Sequence, residues 1–326
     1  MQLNERLRLS IKQHVNFERI LLMKLYWKTM ASVCFIAIVA SGRVSGHPIG
    51  INTQTLTIKA SNEREVEVSV YSPKGGCIDC TLLFFSHGAN IPPQNYAALL
   101  KTWTLAGYVI ASPLHVDAET HPQRKDYTSL DWVTTRVEDY ELTTGALLSK
   151  GIKIHGVSFS GALIATGHSF GALVAQITIG ATMHPDVSVM LSKNALLPLG
   201  TVAISPPGPI ENYIAKENWR HMRKPVLVVT GTADSFPKFM PDWRLHKASY
   251  EAAPKGSAFL LVFDNIDHYF NGAFGRPTKK GFVDNPEIRI LNERVLAFIA
   301  ALEAEQMPTA ANWSKAVTAG VNAASR

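Results

Sequence analysis

Cysteine is scarce in this chain: three residues in 326, Cys34, Cys77 and Cys80. With no second Cys pair and no His/Cys cluster, the sequence offers no zinc-finger spacing, and no metal is expected. There is no Gly-x-Gly-x-x-Gly opening a helix after a strand and no Walker loop, so no nucleotide cofactor is expected, nor any other. No apolar run reaches the ~20 residues of a membrane-spanning helix. No repeat of 20–50 residues and no Pro/Gly/Ser linker divides the body. Strong charge of one sign is missing too. The net charge is +6, but residues 1–46 hold seven Lys/Arg and two acids, leaving 25 basic and 24 acidic residues beyond them. A nucleic-acid partner would need a basic body, and this one is almost neutral.

The basic head explains itself. Lys24 and Lys28 precede the apolar run Met30–Ala40, and the small residues of "SGRVSG" follow. Basic region, short apolar core and small-residue site are the order of a secretory signal. Residues 1–46 are therefore expected to be a polar extension plus signal, cleaved between about Ser41 and His47. The protein would be secreted or periplasmic, with no stable membrane anchor after signal removal. Export favours oxidation, so Cys77 and Cys80 in "GGCIDC" are expected to form a local disulfide at a turn between strands.

The rest alternates. "QTLTIKA" and "EVEVSVYS" have the period of antiparallel strands. "TLLFFS", "YVIASP", "ALIATGHS", "TVAISPP", "PVLVVTG" and "AFLLVFD" are continuous apolar runs, as in strands buried on both faces. Amphipathic or apolar helical stretches separate them, from "NYAALLKTWTLAG" to "NPEIRILNERVLAFIAALEAE". The pattern predicts a mostly parallel sheet with helices on both faces in residues 47–306. The small, polar stretch 307–326 reads as a loosely ordered tail.

Residues 158–175, "SFSGALIATGHSFGALVA", hold two near-copies of one phrase and three serines. A nucleophile elbow needs Gly-x-Ser-x-Gly between a buried strand and a helix. Ser158 and Ser160 each lack one flanking glycine; Ser169 has both, Gly167 and Gly171, with His168 before it, a strand upstream and a helix downstream. A serine needs a base held by an acid, and in such sheets the acid and then the histidine follow it in the chain. His268 follows the last apolar strand, and Asp234 follows "VLVVTG", both at strand carboxyl ends where open α/β sheets build sites. Asp242 is the fallback acid, and His246 falls in a probable helix. A developing oxyanion needs backbone N–H donors. Phe170, after the nucleophile, and Ala89, in "SHGAN", fit that role, with His87 as a structural hydrogen-bonding residue.

"SHGAN", "GHSFGA", "GTADSF" and "DHYFNG", in this order, resemble the α/β-hydrolase superfamily over roughly residues 55–305. Within it they look like the bacterial esterases described as predicted dienelactone hydrolases and like platelet-activating-factor acetylhydrolases. The resemblance implies an eight-stranded sheet, Ser169 as nucleophile, His268 as base, Asp234 as acid, and Ala89 and Phe170 as oxyanion donors. True dienelactone hydrolases carry Cys at the nucleophile, so Ser169 departs from their pattern.

The function so implied is a serine hydrolase cleaving carboxylic esters through an acyl-enzyme. Alternatives are an amidase or thioesterase with the same triad, or a catalytically silent binding protein. Only 18 residues separate "TVAISPP" from "VLVV", room for no more than a small lid. Tyr213, Trp219, Phe236, Trp243, Tyr269 and Phe270 could line an apolar cleft. They favour apolar or aromatic esters, small or polymeric, as partners.

Overall fold

The computed structural model describes residues 50–60, 63–187, 189–237, 239–315 and 320–326; the signal-like head lies outside them. The strands are β1 (Ile51–Lys59), β2 (Glu65–Pro73), β3 (Cys77–Ser86), β4 (Val109–Pro113), β5 (Val157–His168), β6 (Thr201–Ile204), β7 (Val226–Gly231), β8 (Ala258–Phe263) and β9 (Val321–Ser325). The helices are α1 (Ala97–Leu105), α2 (Ser129–Leu148), α3 (Phe170–Thr178), α4 (Ala248–Ala252), α5 (Pro286–Glu303) and α6 (Ala310–Lys315). They form one sheet in the order β1-β2-β4-β3-β5-β6-β7-β8-β9.

Strands β4, β3, β5, β6, β7 and β8 run parallel, and β1, β2 and β9 add antiparallel pairings at the two edges. The uninterrupted apolar runs are the parallel strands because helices cover both of their faces. Alternate residues of β3 divide between the layers. Leu83 and Phe85 pack with Leu99 and Trp103 of α1 and Leu291 and Val295 of α5. Leu82 and Phe84 pack with Tyr140 and Leu147 of α2. The apolar helix α3 lies on that second side with Val133 and Val137 of α2. At the start of α5, Asn285 accepts the Ile288 N–H at 2.9 Å and Pro286 takes the first turn, where its missing N–H is not needed.

Two expectations are corrected. The sheet has nine strands, not eight. Within 307–326 the described residues include two ordered elements, α6 and β9, and β9 pairs antiparallel with β8, from Val321 opposite Phe263 to Ser325 opposite Phe259. Its small side chains concealed a strand whose stability comes from backbone pairing and from one anchor. That anchor is Trp313, 3% exposed, edge-on to Phe259 at 5.2 Å and donating from Nε1 to the Leu260 carbonyl at 3.2 Å. The expected disulfide is present, joining Cys77 and Cys80. Among the described residues no helix is long and apolar enough to cross a membrane.

Removing this anchor should unfasten the edge. Trp313→Ala is expected to lose about 3–5 kcal/mol of stability, read by urea unfolding. An unchanged midpoint would mean that residues beyond 306 are dispensable to the fold.

Candidate active site

The chain turns from β5 into α3 through Ser169, at φ 53° and ψ −122°. Non-glycine residues seldom occupy such a conformation, and it lifts the side chain out of the strand–helix junction. Ser169 N–H donates to the Ile204 carbonyl at 2.8 Å, pinning the turn to the end of β6. The glycines are required by contact. A Cβ on Gly167 would stand 2.3 Å from Gly171 O, and one on Gly171 only 2.0 Å from Ser86 O. The other two serines of the repeated phrase serve β5. Ser158 Oγ accepts the Asp79 N–H at 3.1 Å, and Ser160 Oγ donates to the Cys80 carbonyl at 3.3 Å. They bond the β3 segment around the disulfide.

Asp234 and His268, on the loops after β7 and β8, meet at 2.7 Å between Oδ1 and Nδ1. The second Asp234 oxygen accepts from Thr230 Oγ1 at 2.9 Å. Burial opposes ionisation of Asp234, but the two histidines beside it, His246 and His268, outweigh it and hold the carboxyl well below its usual range. Asp242 is elsewhere in role: it accepts from Arg244 N–H at 3.0 Å and caps the 3-10 turn Trp243–Lys247.

A cavity of about 450 Å³ opens over this turn. Ser169, Phe170, Ala89 and His268 all line it. Gly88 N–H donates to Tyr96 Oη at 3.0 Å and Asn90 N–H to Asp117 Oδ2 at 3.1 Å. The Ala89 N–H between them has no partner among the described residues and is free for a ligand oxygen. Of the six aromatics expected in a cleft, Tyr213, Phe236 and Tyr269 line the cavity. Trp219 and Phe270 are instead fully buried core, and Trp243 stacks under Arg244 and Lys247. Trp132, Phe239 and Met240 line the cavity and were not anticipated.

One hydrogen-bonded chain ties the site's three loops together. Gly88 N–H donates to Tyr96 Oη, which lies 2.8 Å from His168 Nδ1, while His168 Nε2 lies 2.8 Å from the His268 carbonyl. A carbonyl only accepts, so the His168 proton is on Nε2 and Nδ1 accepts from the Tyr96 hydroxyl. Burial, and then His268 nearby, push the His168 pKa well down and keep it neutral.

A connected Ser-His-Asp chain, which the sequence reading missed, is made by other residues. Ser86 Oγ is 2.9 Å from His115 Nε2, and His115 Nδ1 is 2.7 Å from Asp139 Oδ2. This is the connectivity of a serine-hydrolase triad. All three residues are fully buried and none lines the cavity. Arg136 Nη1 donates to Ser86 Oγ at 3.0 Å, and Arg136 Nε and Nη2 each reach Asp117 at 2.8 Å. Arg136 also donates to the His87 carbonyl at 2.5 Å, and His87 Nε2 accepts the His115 N–H at 3.1 Å. His87 is thus a structural hydrogen-bonding residue. The network's signal in the sequence is Arg136 and Asp139, three apart among Val133, Val137 and Tyr140 on the face of α2 that is buried.

Asp234, His246 and His268 also bring three potential metal-ligand atoms within 4.8 Å of one another. The 2.7 Å bond between Asp234 and His268 uses two of the atoms an ion would need.

No protein-family model and no curated protein matches the chain. Solved structures do. The esterase Est2 of Thermogutta terrifontis with propionate bound aligns over 78% of this chain and 95% of its own, at 16% identity and TM-score 0.54. Esterase 2 of that species phosphorylated by paraoxon covers 81% and 99%, at 17% identity and TM-score 0.53. Est1E of Butyrivibrio proteoclasticus with ferulic acid covers 76% and 99%, at 14% identity and TM-score 0.52. This chain has the α/β-hydrolase fold. In it the turn at Ser169 follows a parallel strand, and Asp234 and His268 stand on the loops after β7 and β8.

The α/β-hydrolase loop of residues 87–90 depends on the Arg136–Asp117 pair. Burial opposes ionisation of Asp117, yet Arg136 prevails and holds its carboxyl well below the ordinary range. A depressed folded-state value gives stability that is present above the unfolded pKa near ~4 and is lost as pH falls through the folded value. Asp117→Asn leaves Arg136 buried and unpaired, and should lose about 3–5 kcal/mol at neutral pH. Urea unfolding from pH 7 to pH 3 should show the gap between wild type and variant narrowing below about pH 4. A gap independent of pH would contradict the pairing.

Proposed function

We propose that the chain is a serine esterase in which Ser169 is the nucleophile, His268 its base and Asp234 the orienting acid. The observation that carries this is a single cavity shared by a strained, partly exposed Ser169 and by His268 bonded to a buried Asp234. His268 Nδ1–H donates to Asp234, which leaves Nε2 to take the Ser169 proton as Oγ attacks an ester carbonyl. The oxyanion is received by the N–H groups of Ala89 and Phe170. The alcohol leaves with the proton from His268. A water then attacks the acyl-enzyme, with His268 as base again.

The wall of Ile91, Trp132, Ile210, Phe236, Phe239 and Met240 suits apolar or aromatic acyl groups. The ferulic acid and propionate held by structures of this fold fit that reading. Within the fold we place the chain near the dienelactone-hydrolase-like and platelet-activating-factor-acetylhydrolase-like esterases, on the four motifs. We also propose export with cleavage between about Ser41 and His47, supported by the signal-like head and the Cys77–Cys80 disulfide.

Ser86 is the rival nucleophile, and kinetics separate the two. Ser169→Ala should lower kcat on p-nitrophenyl esters by at least about 10³-fold with the fold intact. Ser86→Ala should keep kcat within about tenfold, since it removes a buried hydrogen-bonding group and no reacting atom. The reverse order would assign the chemistry to the buried chain. A matched set of esters, anilides and thioesters ranks the bond cleaved.

A further inference from the structure

His246 is a buried titratable group that the mechanism above does not use. It lies on the 3-10 turn Trp243–Lys247, 1% exposed, in the wall of the cavity. Its Nδ1 is 2.6 Å from the Pro206 carbonyl oxygen. A carbonyl offers no proton, so Nδ1 carries the hydrogen. Its Nε2 is 3.0 Å from Asp234 Oδ1, off the line of an ideal hydrogen bond, and has no other partner among the described residues. A neutral ring with its one hydrogen on Nδ1 would aim the Nε2 lone pair at a buried carboxylate. Among the described residues no hydrogen-bond donor reaches Nε2, and a proton on Nε2 turns the repulsion into an ion pair.

We propose that His246 is an imidazolium at neutral pH and a positioning residue that shares Asp234 with His268. This rests on the reading of Asp234 and His268 as the working pair. Oδ1 of Asp234 then receives two histidine N–H groups, from His268 at 2.7 Å and from His246 at 3.0 Å. The cation holds the same carboxylate oxygen that His268 uses and consumes part of its charge.

The groups facing His246 are few. Asp234 stands on the β7 loop, His268 on the β8 loop with ring centres 5.6 Å apart, and the neutral His168 behind it at 4.7 Å from His268. The segment after β6 brings the Ser205 and Pro206 carbonyls. On its own turn Asp242 pairs with Arg244, while Arg244 and Lys247 lie over Trp243. Burial, the largest influence, pulls the His246 pKa down, but Asp234 and the two carbonyls outweigh it and the net direction is up.

The test has two arms. Ring nitrogen-15 NMR of histidine-labelled protein at pH 8 should show one ring with both nitrogens protonated, and His246→Gln should remove that pattern. This arm reads protonation alone and stands even if Ser169 proves not to be the nucleophile. In the second arm, His246→Gln removes a positive charge beside His268 and returns all of Asp234 to it. The acid limb of kcat/KM should move to higher pH by about one unit. A ring at His246 with a single protonated nitrogen at pH 8 would overturn the proposal. So would an acid limb that does not move in a folded variant.

Discussion

The contact on which the site depends is the one between Gly171 and the carbonyls of Ser86 and His87. A β-carbon at position 171 would fall 2.0 Å from Ser86 O and 2.6 Å from His87 O. Only bare backbone lets the first turn of α3 approach the end of β3 this closely. That approach sets Phe170 and Ala89 on the same cavity and makes one pocket of two loops far apart in sequence. Everything else holds the two sides of the contact in place. Arg136 and Asp117 fasten the β3 loop from below, and Tyr96 and His168 link it across to the His268 loop.

A connected Ser-His-Asp chain that opens on no cavity shows how little connectivity decides. Ser86, His115 and Asp139 have the right bonds at 2.9 and 2.7 Å, in a region sealed from solvent. There Ser86 also accepts from a guanidinium, which engages an oxygen lone pair that attack would need. Burial and Arg136 push the His115 pKa well down, so the ring stays neutral. Such a chain stiffens the floor beneath a site. The Ser169 arrangement differs in access: a strained turn, a cavity above it and an apolar wall for an acyl group.

Much of this was legible in the sequence. The continuous apolar runs identified parallel strands because burial on both faces leaves no polar alternation. Gly167 and Gly171 singled out Ser169 because the turn is a steric requirement, and steric requirements are local. The ninth strand was hidden because "VNAAS" has no hydrophobic signature of its own; β8 recruits it through backbone bonds. The buried polar network was hidden for a related reason. Arg136 and Asp139 acquire their partners, Asp117, Arg64 and His115, only in the fold. His246 looked like an ordinary helical residue because its partner, Asp234, is twelve positions away and meets it only in three dimensions.

The central claim is that the accessible serine, Ser169, forms the covalent intermediate. The direct measurement is the site of covalent modification by a fluorophosphonate, read by peptide mass mapping of the inactivated protein. One adduct is expected, on the peptide holding Gly167–Gly171 and on Ser169 within it, formed as activity is lost. An adduct on Ser86, or complete inactivation with Ser169 unmodified, would contradict it.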